Sequence, residues 1–214
     1  MVLSSNKNNS KRSIISNLFS KSIIATFLCD DQDSKVRFIS KILETLYNKE
    51  KIIFYVDIDT MFTVFLENNR NLTYIQNVIL FRPKHEEFDD IIAEICSVNQ
   101  ANIDWIVFDS VTSFHNLNGN VLDYSKSNRK IGLYLSILRN ITSNGGGKII
   151  FTSMIRSRKK KGEMLWQQSY AGGKLLERRS DLILKLVKQN NQLLVSSIKR
   201  YDDSFEKDFS LDLD

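Results

Sequence analysis

Carboxylates follow two apolar runs of the chain, at places where a phosphate or a metal ion could be bound. Asp57 and Asp59 come after the run 52–56, and Asp109 ends the run 105–108. Short, continuously apolar runs are typical of strands buried on both faces of a parallel sheet. Open α/β sheets bind their ligands at the carboxyl ends of such strands. Asp109 is therefore a candidate for a nucleotide site, although a core strand ending in a helix-capping aspartate would look the same.

The loop after the first predicted strand has the length of a phosphate-binding loop but not its glycines. Residues 29–36 read Cys-Asp-Asp-Gln-Asp-Ser-Lys-Val, whereas a P-loop has the form G-x-x-x-x-G-K-[ST]. Lys35 is in place, but both glycines are absent and Val36 replaces the hydroxyl that would bind magnesium. Three carboxylates would lie where the phosphates bind: Asp30, Asp31 and Asp33. Their negative charge opposes nucleotide binding.

Positive charge is concentrated in a polar segment that we predict to be a long loop over 155–173. Five cations occur in the six residues 156–161, and a tryptophan follows. Cations neutralise phosphates and release counterions, and an aromatic ring can stack on a base. The candidate DNA contacts are Arg156, Arg158, Lys159, Lys160, Lys161 and Trp166. The alternative is a solvated basic loop whose tryptophan packs against the domain.

Apolar strands alternate with amphipathic helices over the first three quarters of the chain, and then strands follow one another. Strands are predicted at 22–28, 52–56, 74–81, 104–109, 148–153, 181–188, 192–199 and 205–211. Helices are predicted at 35–48, at 86–98 and in a long segment that ends near 143. This order predicts an α/β fold with a mostly parallel central sheet flanked by helices and a C-terminal antiparallel extension. We expect a flexible arm over 1–20 and one domain over 21–214.

Composition excludes several classes of protein. Hydrophobic residues make up 42% and charged residues 26% of the 214 residues, as in globular proteins, and no apolar run approaches the ~18 residues of a membrane span. The two cysteines do not make a disulfide framework, and the two histidines lie far apart, so we predict no metal site. The net charge of +5 favours an anionic partner. We expect a cytoplasmic, nucleoid-associated protein with no membrane partner.

The ordered set of these features resembles the RecA-like recombinases, and most nearly the archaeal RadA/RadB-type proteins and their paralogues. The resemblance covers about residues 22–200 and rests on Lys35, Asp57-Ile58-Asp59, Val107-Phe108-Asp109-Ser110, Ile150-Phe151-Thr152-Ser153 and a basic loop closing on Gly172-Gly173. It implies a RecA-like core, nucleotide-site positions at Lys35 and Asp109, a water-activating position at Asp59, and DNA contact through the basic loop. Departures include the lost glycines, Asp59 in place of a glutamate, and Met154 in place of a polar γ-phosphate sensor. These positions are therefore expected to be vestigial, with no catalytic residue. Lys35 and Asp109 would then pair with nearby opposite charges, or Lys35 would be a solvated residue at the start of the helix.

These inferences favour a non-catalytic recombinase paralogue, an accessory or mediator of homologous recombination and DNA repair. It would bind single-stranded DNA, a recombinase or both. A homodimer is a further possible assembly. No cofactor is expected, because the loop disfavours ATP and magnesium. The alternatives are an active ATPase of the RecA/KaiC class with an unorthodox P-loop, or a RecA-fold interaction scaffold that does not bind DNA.

Overall fold

A computed structural model describes residues 14–117, 124–159, 166–190, 192–199 and 208–212. At 158, 159, 166 and 167 the description extends to the backbone only. No helix in these ranges is long and apolar enough to cross a membrane.

Nine strands of the described residues form one sheet. They are β1 (Ile24–Cys29), β2 (Ile52–Asp57), β3 (Val78–Phe81), β4 (Ile103–Asp109), β5 (Lys148–Lys159), β6 (Trp166–Tyr170), β7 (Leu182–Gln189), β8 (Gln192–Lys199) and β9 (Asp208–Asp212). The spatial order is β3-β2-β4-β5-β1-β7-β8-β9, and β6 pairs with the outer part of β5. The strands from β3 to β7 in this order are parallel, whereas β8, β9 and β6 are antiparallel to their neighbours. The predicted mostly parallel sheet with an antiparallel C-terminal extension is confirmed.

Helices cover both faces of this sheet. They are α1 (Gln32–Leu46), α2 (Met61–Asn68), α3 (Phe88–Ser97), α4 (Val111–Leu117), α5 (Tyr124–Gly145) and α6 (Gly173–Arg179), with 3₁₀ turns at Ile75–Asn77, His85–Glu87 and Gln100–Asn102. Because successive strand residues point to opposite faces, Ile53 and Tyr55 pack with α1 and α2, whereas Phe54 and Val56 pack with α3, α4 and α5. The core therefore consists of two layers, one on each side of the strands that carry the candidate carboxylates.

The segment that precedes β1 differs from the predicted flexible arm. Residues 14–19 are helical, and Ile15 and Phe19 are each only 1% exposed within the core. The Lys148 Nζ group donates hydrogen bonds to the carbonyl oxygens of Phe19 and Ser22, which ties this helix to the start of β5. The prediction of an arm is therefore wrong for 14–19, because apolar residues hidden among polar ones anchor them. Residues 1–13 lie outside the described residues.

The basic segment also differs from its prediction as a long loop. β5 continues to Lys159 and pairs with β6 in an antiparallel ribbon, with Arg156 opposite Ser169 and Lys159 opposite Trp166. This pairing satisfies backbone groups beyond the edge of the parallel sheet without needing the apolar residues that signal a strand. The predicted contacts Lys160 and Lys161 lie outside the described residues.

Three short helices, α2, α4 and α6, have no counterpart among the predicted elements. Each has only seven or eight residues, which is too few for a helical period to appear in the sequence. They matter because α4 begins two residues after Asp109 and α6 begins at the second of the paired glycines, so both border the carboxyl edge of the sheet.

Candidate functional site

Lys35, Asp59 and Asp109 meet at the carboxyl edge of the sheet, and we call this group the ion cluster. The Lys35 Nζ atom lies 2.7 Å from Asp59 Oδ2 and 2.6 Å from Asp109 Oδ1. The side chains of Lys35 and Asp109 are fully buried, and that of Asp59 is 9% exposed. The structure thus brings together the three residues that the sequence singled out at a distance, and it joins them as a buried salt bridge.

Two hydroxyl groups also donate hydrogen bonds to the Asp109 carboxylate. The Tyr55 hydroxyl donates to Oδ2 at 2.8 Å, and the Thr152 hydroxyl donates to Oδ1 at 2.5 Å. Tyr55 lies on β2 and Thr152 on β5, the two strands that flank β4. Sequence reasoning missed both roles. The available signal was a hydroxyl-bearing residue within an otherwise apolar strand next to the strand that ends at Asp109.

Burial and charge act against each other in the ion cluster. Burial alone lowers the pKa of Lys35, but Asp109 and Asp59 raise that pKa well above its ordinary value, so the amine stays protonated. Burial and the charge of Asp109 raise the pKa of Asp59, against the opposing effect of Lys35. Burial and Asp109 likewise raise the pKa of Tyr55, so its hydroxyl remains a donor. The cluster is a charge-paired network in which the lysine supplies the cation.

Asp57 has a structural task beside the ion cluster. Its Oδ2 atom accepts hydrogen bonds from the Thr63 amide at 2.8 Å and from the Thr63 hydroxyl at 2.6 Å, which caps the first turn of α2. Carboxylate oxygens of Asp57, Asp59 and Asp109 lie within 4.8 Å of one another, as in a cation site. Since the Lys35 ammonium group already contacts two of the three carboxylates, these residues do not leave a metal ion a set of free ligands.

The loop between β1 and α1 is shorter than a phosphate-binding loop, because α1 begins at Gln32. The Asp31 carboxylate accepts hydrogen bonds from the Ser34 amide at 2.8 Å and the Ser34 hydroxyl at 2.7 Å, so it caps the helix. The Lys188 Nζ atom lies 3.6 Å from Asp31 Oδ2. Burial alone would raise the pKa of Asp31, but the bonds from Ser34 and the charge of Lys188 lower it. A carboxylate of the chain thus lies at the helix N-terminus, which is where a phosphate would bind.

The described DNA candidates lie on the β5–β6 hairpin, away from the ion cluster. Arg156, Arg158 and Lys159 belong to β5, and Trp166 is the first residue of β6. The Arg156 guanidinium group donates to Asn116 Oδ1 at 3.2 Å. Arg156, Arg158 and Lys159 therefore lie on backbone that extends past the parallel part of the sheet, on the same strand whose inner part holds Thr152.

Met154 stands where a polar sensor was expected from the family pattern. Its backbone amide donates to Thr112 Oγ1 at 2.9 Å, and Thr112 Oγ1 lies 3.1 Å from Ser153 Oγ. The Ser153 hydroxyl in turn donates to the Ala171 carbonyl oxygen at 3.0 Å. These polar groups are used to hold α4, β5 and the start of α6 together.

Comparison with known proteins identifies the architecture. No family model matches the sequence, and no curated protein matches it. A solved structure described as "Crystal structure of the RadB recombinase" superposes with a TM-score of 0.66 and 17% sequence identity, over 89% of this chain and 86% of that chain. The chain has a RecA-like fold. At this identity the likeness establishes the fold alone.

Magnesium and ATP are the groups that a RecA-like fold implies, but the residues at the start of α1 and in the ion cluster do not fit them. The Asp31 carboxylate lies at the N-terminus of α1 and would repel phosphate oxygens. The Lys35 amine, which contacts phosphates in P-loop proteins, is held by Asp59 and Asp109 instead. Val36 is buried and offers no hydroxyl to a metal ion.

Proposed function

We propose that the chain is a recombinase paralogue with a degenerate nucleotide site, which acts as a non-catalytic accessory or mediator in homologous recombination and DNA repair. It binds single-stranded DNA, a recombinase or both. The observation that carries the proposal is the β5–β6 hairpin, a two-stranded ribbon at the carboxyl edge of a RecA-like sheet. The basic segment 156–161 starts on its first strand. Such a ribbon presents cations to a phosphate backbone from a fixed support.

Independence from ATP is the second part of the proposal, and the ion cluster supports it. A lysine that is fully buried between two carboxylates is not free to follow the arrival or loss of a γ-phosphate. Breaking the salt bridge would leave two buried carboxylates unpaired, which is strongly unfavourable. DNA binding is therefore expected to proceed without a nucleotide switch.

A protein partner is the third part of the proposal. In the described part of the chain the sheet ends at β9, which pairs only with β8. The outer edge of such a strand can take a strand from another protein, through main-chain hydrogen bonds. A recombinase bound at this edge would leave the hairpin free for DNA.

Fluorescence anisotropy of a labelled 20-nucleotide single strand tests this function. The protein is titrated at two salt concentrations, each with and without magnesium and ATP. We expect binding that weakens steeply with salt and ignores ATP. Binding that appears only with ATP would favour the unorthodox ATPase. Absence of binding under both conditions would favour an interaction scaffold without a DNA role.

A further inference from the structure

A cavity of about 400 Å³ lies at the base of the hairpin, apart from the ion cluster, and we call it the hairpin pocket. Residues of α4, α5, the hairpin and the start of α6 line it, among them His115, Asn128, Arg156, Tyr170 and Lys174. The Tyr170 hydroxyl donates to Glu177 Oε1 at 2.6 Å, which fixes that wall. The volume falls within the range of sites that hold small molecules.

Three buried polar atoms of the described residues that line the hairpin pocket have no hydrogen-bond partner. His115 is 7% exposed, yet neither of its ring nitrogens has a hydrogen-bond partner in the structure as described. The Asn128 Oδ1 atom is also buried without a partner. The Asn128 side chain is close enough to the imidazole to raise its pKa, but neither ring nitrogen meets it at hydrogen-bond geometry. Since buried polar atoms are nearly always paired, these three atoms are suited to pair with a bound ligand.

The protonation state of His115 defines what that ligand must offer. Burial lowers the pKa of this imidazole, the charge of Arg156 lowers it further, and Asn128 opposes the change. At neutral pH the ring is therefore uncharged and presents one donor and one acceptor. Together with the free carbonyl oxygen of Asn128, it matches the edge of a heterocycle that carries both donors and acceptors.

The rest of the pocket adds a stacking surface and positive charge. The Tyr124 ring, 40% exposed, lies 5.0 Å from the His115 ring at an interplanar angle of 34°. Arg156 and Lys174 supply two cations, and no acidic residue is among the described residues that line the cavity. A flat heterocycle attached to an anionic group satisfies all of these features, and a nucleotide is such a molecule.

We propose that the hairpin pocket binds one nucleotide unit, with its base against His115 and Asn128 and its phosphate near Arg156 and Lys174. The inference rests on the proposed function, because the unit would belong to the single strand held by the hairpin, with one base turned out of the stack as enzymes acting on bases do. A free mononucleotide offers the same chemistry, so the test has to separate the two sources.

Imidazole ¹⁵N resonances provide a direct test, because the chain contains only two histidines. His85 is exposed on a 3₁₀ turn before α3 and serves as the internal control. The ¹⁵N-labelled protein is titrated with (dT)₁₀, with (dA)₁₀ and with dTMP and dAMP separately. We expect at least one oligonucleotide to shift both ring nitrogens of His115 while those of His85 stay in place.

Substitutions give a second readout that does not depend on assigning resonances. Asn128→Leu removes the unpaired carbonyl oxygen and should weaken oligonucleotide binding about fivefold, as expected for the loss of one hydrogen bond. Lys174→Ala should weaken it and also reduce its salt dependence. His85→Ala is the matched control and should change neither.

The outcomes separate this inference from the proposed function. If DNA binds but His115 stays unshifted and Asn128→Leu binds normally, the pocket inference is overturned while the DNA-binding function stands. If only mononucleotides shift His115 and no DNA binds in the anisotropy titration, the pocket is supported as a site for free nucleotide and the DNA-binding function is overturned. If neither ligand shifts His115 and no DNA binds, both are overturned.

Discussion

The ion cluster and the hairpin pocket lie at the same edge of one sheet, and β5 contributes to both. Thr152 donates to Asp109 in the ion cluster, and Arg156, four residues further along β5, lines the hairpin pocket. In the ion cluster every charged group contacts an opposite charge of the chain. In the hairpin pocket the imidazole of His115 has no described partner. The charges of the ion cluster are paired within the chain, whereas the hairpin pocket has buried polar atoms that a ligand could pair with.

This difference has opposite consequences for substitution. Removing a charge from the ion cluster leaves other buried charges uncompensated, so the free energy of unfolding must fall. Removing an unpaired polar atom from the hairpin pocket relieves a desolvation penalty, so stability need not fall while binding does. Stability and binding measured on the same variants can therefore break or sharpen the comparison.

The largest effect is expected for Lys35→Met, which keeps most of the side-chain volume and removes the cation. We expect the free energy of unfolding, measured by urea denaturation at pH 7, to fall by about 3–5 kcal/mol, as for other broken buried ion pairs. Because Asp59 and Asp109 stabilise the charged form of Lys35, its contribution persists up to the ordinary lysine pKa of about 10.4 and is lost only at more alkaline pH.

Lys41→Met is the matched control for this change. Lys41 lies on the same helix, but its side chain is 58% exposed and its nearest carboxylate oxygen, on Glu44, lies 3.7 Å away. Such surface pairs contribute about 0–1 kcal/mol. If Lys35→Met lost no more stability than Lys41→Met, the ion cluster would not hold the fold. The folded Lys35→Met variant should bind DNA as the wild type does; a large loss would revive the ATPase alternative.

The next effect concerns the hairpin. Replacing Lys159, Lys160 and Lys161 together with alanine should weaken single-stranded DNA binding at least about tenfold at low salt. The slope of log affinity against log salt should become shallower by about 2 units, since each phosphate contact contributes about 0.7 on a single strand. Anisotropy titrations at four salt concentrations measure both quantities.

A triple variant of equal charge change controls for the loss of net charge. Lys41, Lys49 and Arg70 are exposed on α1 and on the loops that follow α1 and α2. Replacing these three with alanine should leave the salt slope nearly unchanged. Equal losses in the two triple variants would mean that DNA senses only net charge and has no site on the hairpin.

A smaller effect is expected at the helix cap that occupies the place of a phosphate. Asp31→Ala removes the bonds from the Ser34 amide and hydroxyl and should lower the free energy of unfolding by about 1 kcal/mol. Because the pKa of Asp31 is lowered, this contribution is present above the ordinary aspartate pKa of about 4 and disappears as the pH falls below it. Urea denaturation at pH 7 and at pH 3 measures both parts.

Asp33→Ala is the control for the cap, because Asp33 lies in the same helical turn and is 49% exposed. Its bond to Arg37 is a surface pair, so its removal should change stability by less than about 0.5 kcal/mol. If the two substitutions were equivalent, Asp31 would act through general charge at the helix N-terminus and not as a cap.

The members of the ion cluster could be predicted from the sequence, because each of them follows or begins a predicted strand or helix at one edge of a parallel sheet. Asp59 and Asp109 come after apolar runs, and Lys35 begins a predicted amphipathic helix. Pairing with some opposite charge was one of the alternatives, but the contact of Lys35 with both Asp59 and Asp109 was not predictable, because it depends on α1 starting at Gln32 and on the direction of one long side chain. The helix begins at Gln32 and not at the predicted Lys35, because Asp31 caps it through Ser34. An aspartate three residues before a serine also occurs in loops, so the sequence did not distinguish the cap.

The hairpin pocket could not be predicted from the sequence. His115 lies on α4 and Asn128 on α5, and only the packing of these helices against the hairpin brings them to one cavity. The hairpin itself carries polar residues on both strands, so no alternation distinguished it from a loop. An unpaired imidazole is a property of the folded state and leaves no pattern in the chain.

The smallest effect is expected for His115→Phe, and its sign is informative. Without ligand, the free energy of unfolding at pH 7 should stay level or rise by up to about 1 kcal/mol, because a ring of similar shape replaces unpaired nitrogens. In the wild type the pKa of His115 is lowered by burial, so the unfolded chain takes up a proton first as the pH falls below about 6.5. The wild type should therefore lose stability on acidification through this range, and His115→Phe should lose less.

Urea denaturation at pH 7 and pH 5 checks this expectation, with His85→Ala as the variant that removes the other histidine. A loss of more than about 1 kcal/mol in His115→Phe at pH 7 would mean that the imidazole nitrogens are satisfied within the protein. The hairpin pocket would then resemble the ion cluster, and the contrast between the two regions would disappear. A level or raised stability together with weakened oligonucleotide binding would instead mean that His115 is kept for its ligand, because the fold alone gains nothing from its nitrogens.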